Sequence, residues 1–361
     1  MLGYVLILTL IACGYLEAST VSTPDELVSA LERVRPGDTV TMAARDWPDL
    51  ILEVKGGGRE GKPVTIRAEA RGKTRLVGSS AIVIDASHVV VDGLVLTEGK
   101  PTTTAIAFRE GTSHSRVTNC SIVDYKAGPE DEHPPMWVSV KGSHHRVDHC
   151  AFTGRKDVTG LMRVAVEDAP RYHRIDHNYF GQFAYIGKNG AETIRIIDTH
   201  KKSRSSYVRR SSKTTVAFNL FESCDGEAAE IISNKGSDNV YRGNTFRRSM
   251  GALTLRQGRG CLVEGNFFFG EGKSGTMGIR VLGKDHIVRN DYMEGLVAQA
   301  YEGSHQALDR EPEMRQHLDA SEKTQPGDSV DVVKDWHPSH WGTELLEAED
   351  ADGRVVTVQV K

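Results

Sequence analysis

The sequence has no apolar run long enough to cross a bilayer, no cysteines at metal-ligand spacing and no excess of basic charge. A membrane-spanning helix needs about 20 apolar residues in a row. The N-terminal apolar stretch, Tyr4 to Leu16, has only the length of an export-signal core, and it lacks the usual basic residues before it. The net charge of −4 gives no global attraction to nucleic acid. Of the five cysteines, Cys13 lies in the N-terminal stretch. Cys120, Cys150, Cys224 and Cys261 are too scattered for a cysteine metal centre. Cys120 and Cys150 fall at equivalent places in two repeats, so buried thiols are expected there, with a disulfide as the alternative. Helical periodicity is also scarce, and the Leu-x-x-Leu-x-Leu pattern of a leucine-rich solenoid is missing.

What is present is glycine, 36 residues of it, together with much valine, asparagine and threonine. That favours a turn-rich, all-β chain. Small residues near Ala18 and Ser19 suit cleavage after an export signal over residues 1–18, and Leu10-Ile11-Ala12-Cys13 suits lipidation at Cys13. A secreted or periplasmic protein is the expectation. Thr23-Pro24-Asp25-Glu26 reads as a helix start, and Pro36-Gly37 closes that helix. A short amphipathic helix here is suited to capping a solenoid end.

From residue 39 the pattern becomes short strands broken by turns. A motif then recurs as Val90-Val91-Asp92-Gly93-Leu94, Val117-Thr118-Asn119-Cys120-Ser121 and Val147-Asp148-His149-Cys150-Ala151. It continues through Ile175-Asp176-His177-Asn178-Tyr179, Ala217-Phe218-Asn219-Leu220, Arg242-Gly243-Asn244-Thr245, Glu264-Gly265-Asn266-Phe267 and Arg289-Asn290-Asp291-Tyr292. Steps of roughly 22–30 residues built from short strands describe a right-handed parallel β-helix, in which stacked coils share one core. Asparagines at the turns are placed to bond along the stack. The β-helix is expected over residues 19–295. Residues 296–361, charged between Leu308 and Gln325, read as an appendage. The basic run Thr199 to Arg210 reads as an insertion loop, either solvated or gripping an anion.

Two stretches concentrate reactive side chains. One runs from Asn219 to Lys235 and holds Glu227 and Glu230; the other is Leu253-Thr254-Leu255-Arg256. Neighbouring coils lie about 4.8 Å apart. Lys235 and Arg256 are separated by about one coil, so they are expected side by side. A neighbouring arginine depresses a lysine's pKa, which is what a Brønsted base requires. The alternative is a pair of solvated surface cations. Asn189, Glu227 and Glu230 offer hard oxygen ligands of the kind Ca²⁺ takes. Solvated acids in turns are the alternative there.

Asn189-Gly190-Ala191-Glu192-Thr193-Ile194-Arg195-Ile196, Glu230-Ile231-Ile232-Ser233-Asn234-Lys235 and Leu253-Thr254-Leu255-Arg256 together resemble polysaccharide lyase family six. That family holds alginate lyases and chondroitinase B, and the resemblance runs from about residue 20 to 295. It implies β-elimination on an anionic uronate polysaccharide, alginate first and dermatan sulfate second. It implies Lys235 as base, Arg256 as the group assisting the leaving oxygen, and Asn189, Glu227 and Glu230 as Ca²⁺ ligands. Arg195, Arg280 and residues 201–210 are candidate substrate contacts, with surface charge as the alternative.

Three features depart from the family pattern. Glu227-Ala228-Ala229-Glu230 replaces Glu-x-Glu, and strict strand alternation would point Glu227 away from Glu230 unless a bulge intervenes. Gln257 stands where histidine is usual. The coils are expected to stop near residue 293. A non-catalytic polysaccharide-binding solenoid is therefore the alternative reading. A uronate C5-epimerase is another, although its acid, histidine and tyrosine set is not found.

Overall fold

The computed structural model describes residues 20–126, 134–198, 210–282 and 285–298, and strands at Tyr301–Gly303, Leu345–Glu349 and Val355–Val360. The N-terminal stretch with Cys13, most of the basic loop and most of the C-terminal appendage lie outside the described residues. No helix among the described residues is long and apolar enough to cross a membrane.

The chain is a right-handed parallel β-helix. Three parallel sheets of 11, 10 and 10 strands run its length, and each coil contributes a strand to each. The third sheet continues to Tyr301–Gly303, which pairs with Thr276–Val281. Leu345–Glu349 and Val355–Val360 form a separate antiparallel pair.

The register explains why the repeat folds this way. In the first sheet Val91, Val117, Val147, Ile175 and Val216 follow one another at the same position. In the second sheet Phe152, Phe180, Phe221, Phe246 and Phe268 stack at 5.2, 4.9, 4.7 and 4.6 Å between ring centroids. In the third, Met162, Ile194, Ile232, Leu253 and Ile279 are aligned. All of these are buried. Each such side chain contributes about 1.5–3 kcal/mol by burial, so a repeated apolar position stabilises every coil against the next.

The asparagines bond along the stack as expected. Asn178 Nδ2 donates to Asn219 Oδ1 at 3.0 Å, Asn219 to Asn244 at 3.0 Å, and Asn244 to Asn266 at 3.0 Å. Asp291 ends this ladder and accepts from Asn266 at 2.8 Å, and burial pushes its carboxyl up to about 7. The four cysteines Cys120, Cys150, Cys224 and Cys261 are buried free thiols.

Pro24–Leu31 forms the one α-helix among the described residues. Thr23 Oγ1 accepts from Glu26 N at 3.2 Å, and Glu26 Oε2 accepts from Thr23 N at 3.3 Å. Leu27 enters the core from this helix, which covers the first coil as a cap.

Candidate active site

The third sheet turns an unusual set of polar side chains outward. Arg163, Arg195, Ser233, Thr254 and Arg280 occupy one row across five coils. They alternate with the inward apolar row, as a pleated strand requires. Lys235 and Arg256 extend their own strands by one residue, again on neighbouring coils. Lys235 N donates to Ile196 O at 2.9 Å and Arg256 N to Asn234 O at 2.9 Å. The structure therefore brings the two cations together, as their spacing predicts.

The strand end that carries Lys235 is held from inside. Asn234 is fully buried, and its Nδ2 donates to Gly236 O at 2.9 Å and Gln257 O at 3.2 Å. Its Oδ1 accepts from Asn239 Nδ2 at 2.8 Å and Tyr241 Oη at 2.9 Å. Lys235 is thus fixed at its backbone, while its ammonium forms no ion pair among the described residues. Burial lowers its pKa, against the pull of Glu192; Arg195 and Arg256 lower it further, and Glu230 opposes them. Arg256 is steadied by Glu230, with Nη1 2.9 Å from Oε1.

Carboxylates of Glu192, Glu227 and Glu230 each bring an oxygen within 4.8 Å of the others. Glu192 and Glu230 are buried. Arg195 Nε donates to Glu192 Oε2 at 2.9 Å, and its Nη2 contacts the same oxygen. Glu192 Oε1 and Glu230 Oε2 are left buried without a hydrogen-bond partner. Glu227 Oε2 accepts from Gly190 N at 3.0 Å. Burial raises the pKa of Glu227, and the nearby charges of Glu192 and Glu230 add to the rise. Three crowded carboxylates with two orphaned oxygens form a donor set suited to a hard divalent cation.

The extra alanine is absorbed before the strand begins. The strand starts at Glu230, and its register shifts between Glu230 and Ile232. Ala228 has φ 66°, and its N donates to Asp225 O at 2.8 Å. Glu227 therefore sits on a turn, and the alternation rule does not govern it. Gly226 permits this turn, because a Cβ there would lie 2.1 Å from Ala191 O. Asp225 anchors the turn to the following coils through Met250 N at 3.0 Å and Lys273 Nζ at 2.6 and 2.7 Å.

Of the residues singled out from sequence, Lys235, Arg256, Glu227, Glu230 and Arg195 lie at one place. Arg280 lies at the Thr254 position one coil beyond. Asn189 is exposed beside Gly190. Glu192 and Arg163 were not singled out. Glu192 lay inside a quoted motif, three residues before Arg195. Arg163 stands in register with Arg195, and that pairing was the signal available.

A family model described as chondroitinase B matches residues 21–319. The solved PL6 alginate lyase AlyGC is 39% identical, with a TM-score of 0.74, over 79% of this chain and 40% of its own. A mannuronic acid specific family 6 lyase from human gut microbiota is 30% identical, with a TM-score of 0.72, over 79% of this chain and 66% of its own. A PL6 polysaccharide lyase from Pseudopedobacter saltans is 29% identical, with a TM-score of 0.70, over 76% and 63%. This chain spans less than half the length of AlyGC. No protein with a curated description matches. The matched residues and these solved relatives show that the chain belongs to polysaccharide lyase family six.

Proposed function

We propose that this chain cleaves an anionic uronate polysaccharide by β-elimination, with alginate as the substrate. The observation that carries the reading is Lys235, lowered in pKa, forming no ion pair among the described residues and held beside Arg256 and the carboxylate cluster. The relatives named as alginate lyases support the choice of polymer. The description of the family model as chondroitinase B favours dermatan sulfate as the second candidate.

A proton next to an ionised carboxylate is only weakly acidic, so the carboxylate charge must be masked before it can leave. Glu192, Glu227 and Glu230, with Asn189 adjoining, would hold a Ca²⁺ ion. When bound, that ion supplies positive charge to the uronate carboxylate. Arg195, one coil before Lys235, and Arg280, one coil beyond Arg256, suit carboxylate binding on either side of the two cations. Neutral Lys235 takes the C5 proton. The electron pair of that C–H bond becomes the C4–C5 double bond, and the C4–O bond breaks. Arg256 donates a hydrogen bond to the departing oxygen, directly or through water; that oxygen takes its proton from water, and the ammonium of Lys235 returns the C5 proton to solvent to restore the neutral base. Arg256 stays charged throughout, because a guanidinium does not deprotonate in this range. Export through residues 1–18, with lipid attachment at Cys13 as a variant, goes with a polymeric substrate outside the cytoplasm.

The test is incubation with polymannuronate, alternating alginate, polyguluronate and dermatan sulfate, with and without EDTA. Ultraviolet absorbance of the unsaturated product reports cleavage. Absorbance rising on an alginate polymer and suppressed by EDTA is the expected result. No rise on any polymer would leave a non-catalytic binding solenoid as the better reading. A rise indifferent to EDTA would remove calcium from the account.

A further inference from the structure

A second row of side chains lies outside the elimination chemistry. Where the chain turns from the third sheet back to the first, five successive coils place His88, His114, His144, Tyr172 and Lys213. All five have left-handed backbones, with φ between 50° and 55°. The His88 and His114 rings stack at 5.0 Å, His114 and His144 at 4.6 Å, and His144 and Tyr172 at 5.1 Å. Lys213 Nζ lies 5.6 Å from the Tyr172 ring centroid. Rings stacked in this way cover one another's faces and turn their polar edges outward.

The turn itself does not call for rings. Asn, Asp and Gly take left-handed φ most readily, and later coils at this corner use Asp238, Gly260 and Asp285. Nor are these rings bonded as structural histidines are. Just inside them, buried His145 accepts Ser115 N at 3.1 Å, and buried His173 accepts His145 N at 3.3 Å. The outer imidazoles of His88, His114 and His144 have no hydrogen-bond partner among the described residues. His114, His144, Tyr172 and Lys213 are exposed. These five positions contain no acid, and Lys213 stands one coil before the Lys235 corner, where Asp238 takes the next place. At about 4.8 Å per coil it is a track of about 20 Å.

We propose that this row is a second binding surface for a carboxylate-bearing polysaccharide, held along the solenoid axis beside the catalytic coils. The inference rests on the lyase reading for its ligand class. Each imidazole edge offers an N–H, Tyr172 its hydroxyl and Lys213 an ammonium. Hydroxyl and carboxylate oxygens recurring along a polymer are acceptors for all of them. A ligand that repeats suits a surface that repeats once per coil.

The test compares His114→Gly/His144→Gly with its parent, both carrying Lys235→Ala so that the polymer stays intact. Glycine keeps the left-handed backbone and carries no hydrogen-bonding side chain. Binding of polymannuronate and of its trisaccharide is measured by calorimetry, together with the thermal midpoint. The expected result is polymer affinity weakened at least about fivefold, from the loss of two hydrogen-bonding edges. Trisaccharide affinity and the midpoint stay unchanged. Unchanged polymer affinity overturns the proposal, including when the midpoint falls, since the rings would then be structural only. Equal weakening for polymer and trisaccharide also overturns it, because the row would then act within the cleft. A parent that binds neither ligand removes the lyase reading as well, whereas a parent and variant that bind both ligands alike overturn the proposal and leave that reading standing.

Discussion

On the first sheet Arg116, Arg146 and Arg174 stand on three successive coils, and each meets a buried aspartate. Arg116 Nε lies 2.7 Å from Asp148 Oδ1, Arg146 Nε 2.9 Å from Asp176 Oδ1, and Arg174 Nε 3.0 Å from Asp176 Oδ1. His149 and His177 bond the remaining carboxylate oxygens at 2.7 and 2.8 Å. On the third sheet, cations at the same one-coil spacing are treated differently. Arg163 and Lys235 form no ion pair among the described residues, and buried oxygens of Glu192 and Glu230 go without partners. The third face pairs Arg195 with Glu192 and Arg256 with Glu230, yet leaves two carboxylate oxygens, Arg163 and Lys235 without such partners among the described residues. Unsatisfied buried charge is costly, and the third face is where the proposed cation and substrate would offset that cost.

The contrast should be easy to break on the scaffold side. Asp176→Ala leaves Arg146, Arg174 and His177 without their shared carboxylate, and removing one partner of a buried pair costs about 3–5 kcal/mol. Urea unfolding is expected to show that loss, with the rate per folded molecule unchanged. On the ligand side the order reverses. Glu192→Gln removes one carboxylate of the cluster and is expected to weaken calcium binding by about tenfold or more, at about 1.4 kcal/mol per tenfold. Calorimetry reads this directly, and the calcium-free midpoint should fall less than for Asp176→Ala, because the amide oxygen at position 192 can still accept from Arg195.

Acid should act on the scaffold first. Burial holds His145 and His286 at about 4, against about 6.5 in an unfolded chain. Between those values the unfolded chain binds the extra protons. Stability is therefore full above about pH 6.5 and declines as the pH falls toward 4. Asp148 and Asp176, both held below the ordinary carboxylate range by their arginine and histidine partners, add to the loss at lower pH. Urea midpoints at pH 7 and pH 4.5 should differ, and His145→Gln should shrink the difference. The smallest effect is expected at Gln257, which follows Arg256 without belonging to the carboxylate cluster. Gln257→His should change the cleavage rate by less than about threefold, under 1 kcal/mol.

The solenoid was legible because its evidence repeats. Valines and asparagines recur once per coil, and each repeat bears the same structural load. Lys235 and Arg256 were legible because no insertion separates them, so sequence distance measures coil distance. Glu192 was not, because the 199–210 loop lies between it and Glu230 and breaks that relation. The doubt over Glu227 came from treating residues 227–230 as one strand. The left-handed backbone of Ala228 and the Gly226 contact with Ala191 O put Glu227 on a turn, and no period in the sequence encodes that. Likewise, the charge difference between the two arginine rows depends on partners brought in from other coils.

Lys235, which forms no ion pair among the described residues, is the proposed base. Its most direct test is the initial rate of unsaturated-product formation by Lys235→Ala beside the wild type, on the polymer the wild type cleaves best. A positioned base contributes about 10²–10⁴-fold, so a loss of at least about a hundredfold is expected, with an unchanged thermal midpoint. A variant that keeps a rate near that of the wild type would contradict the account.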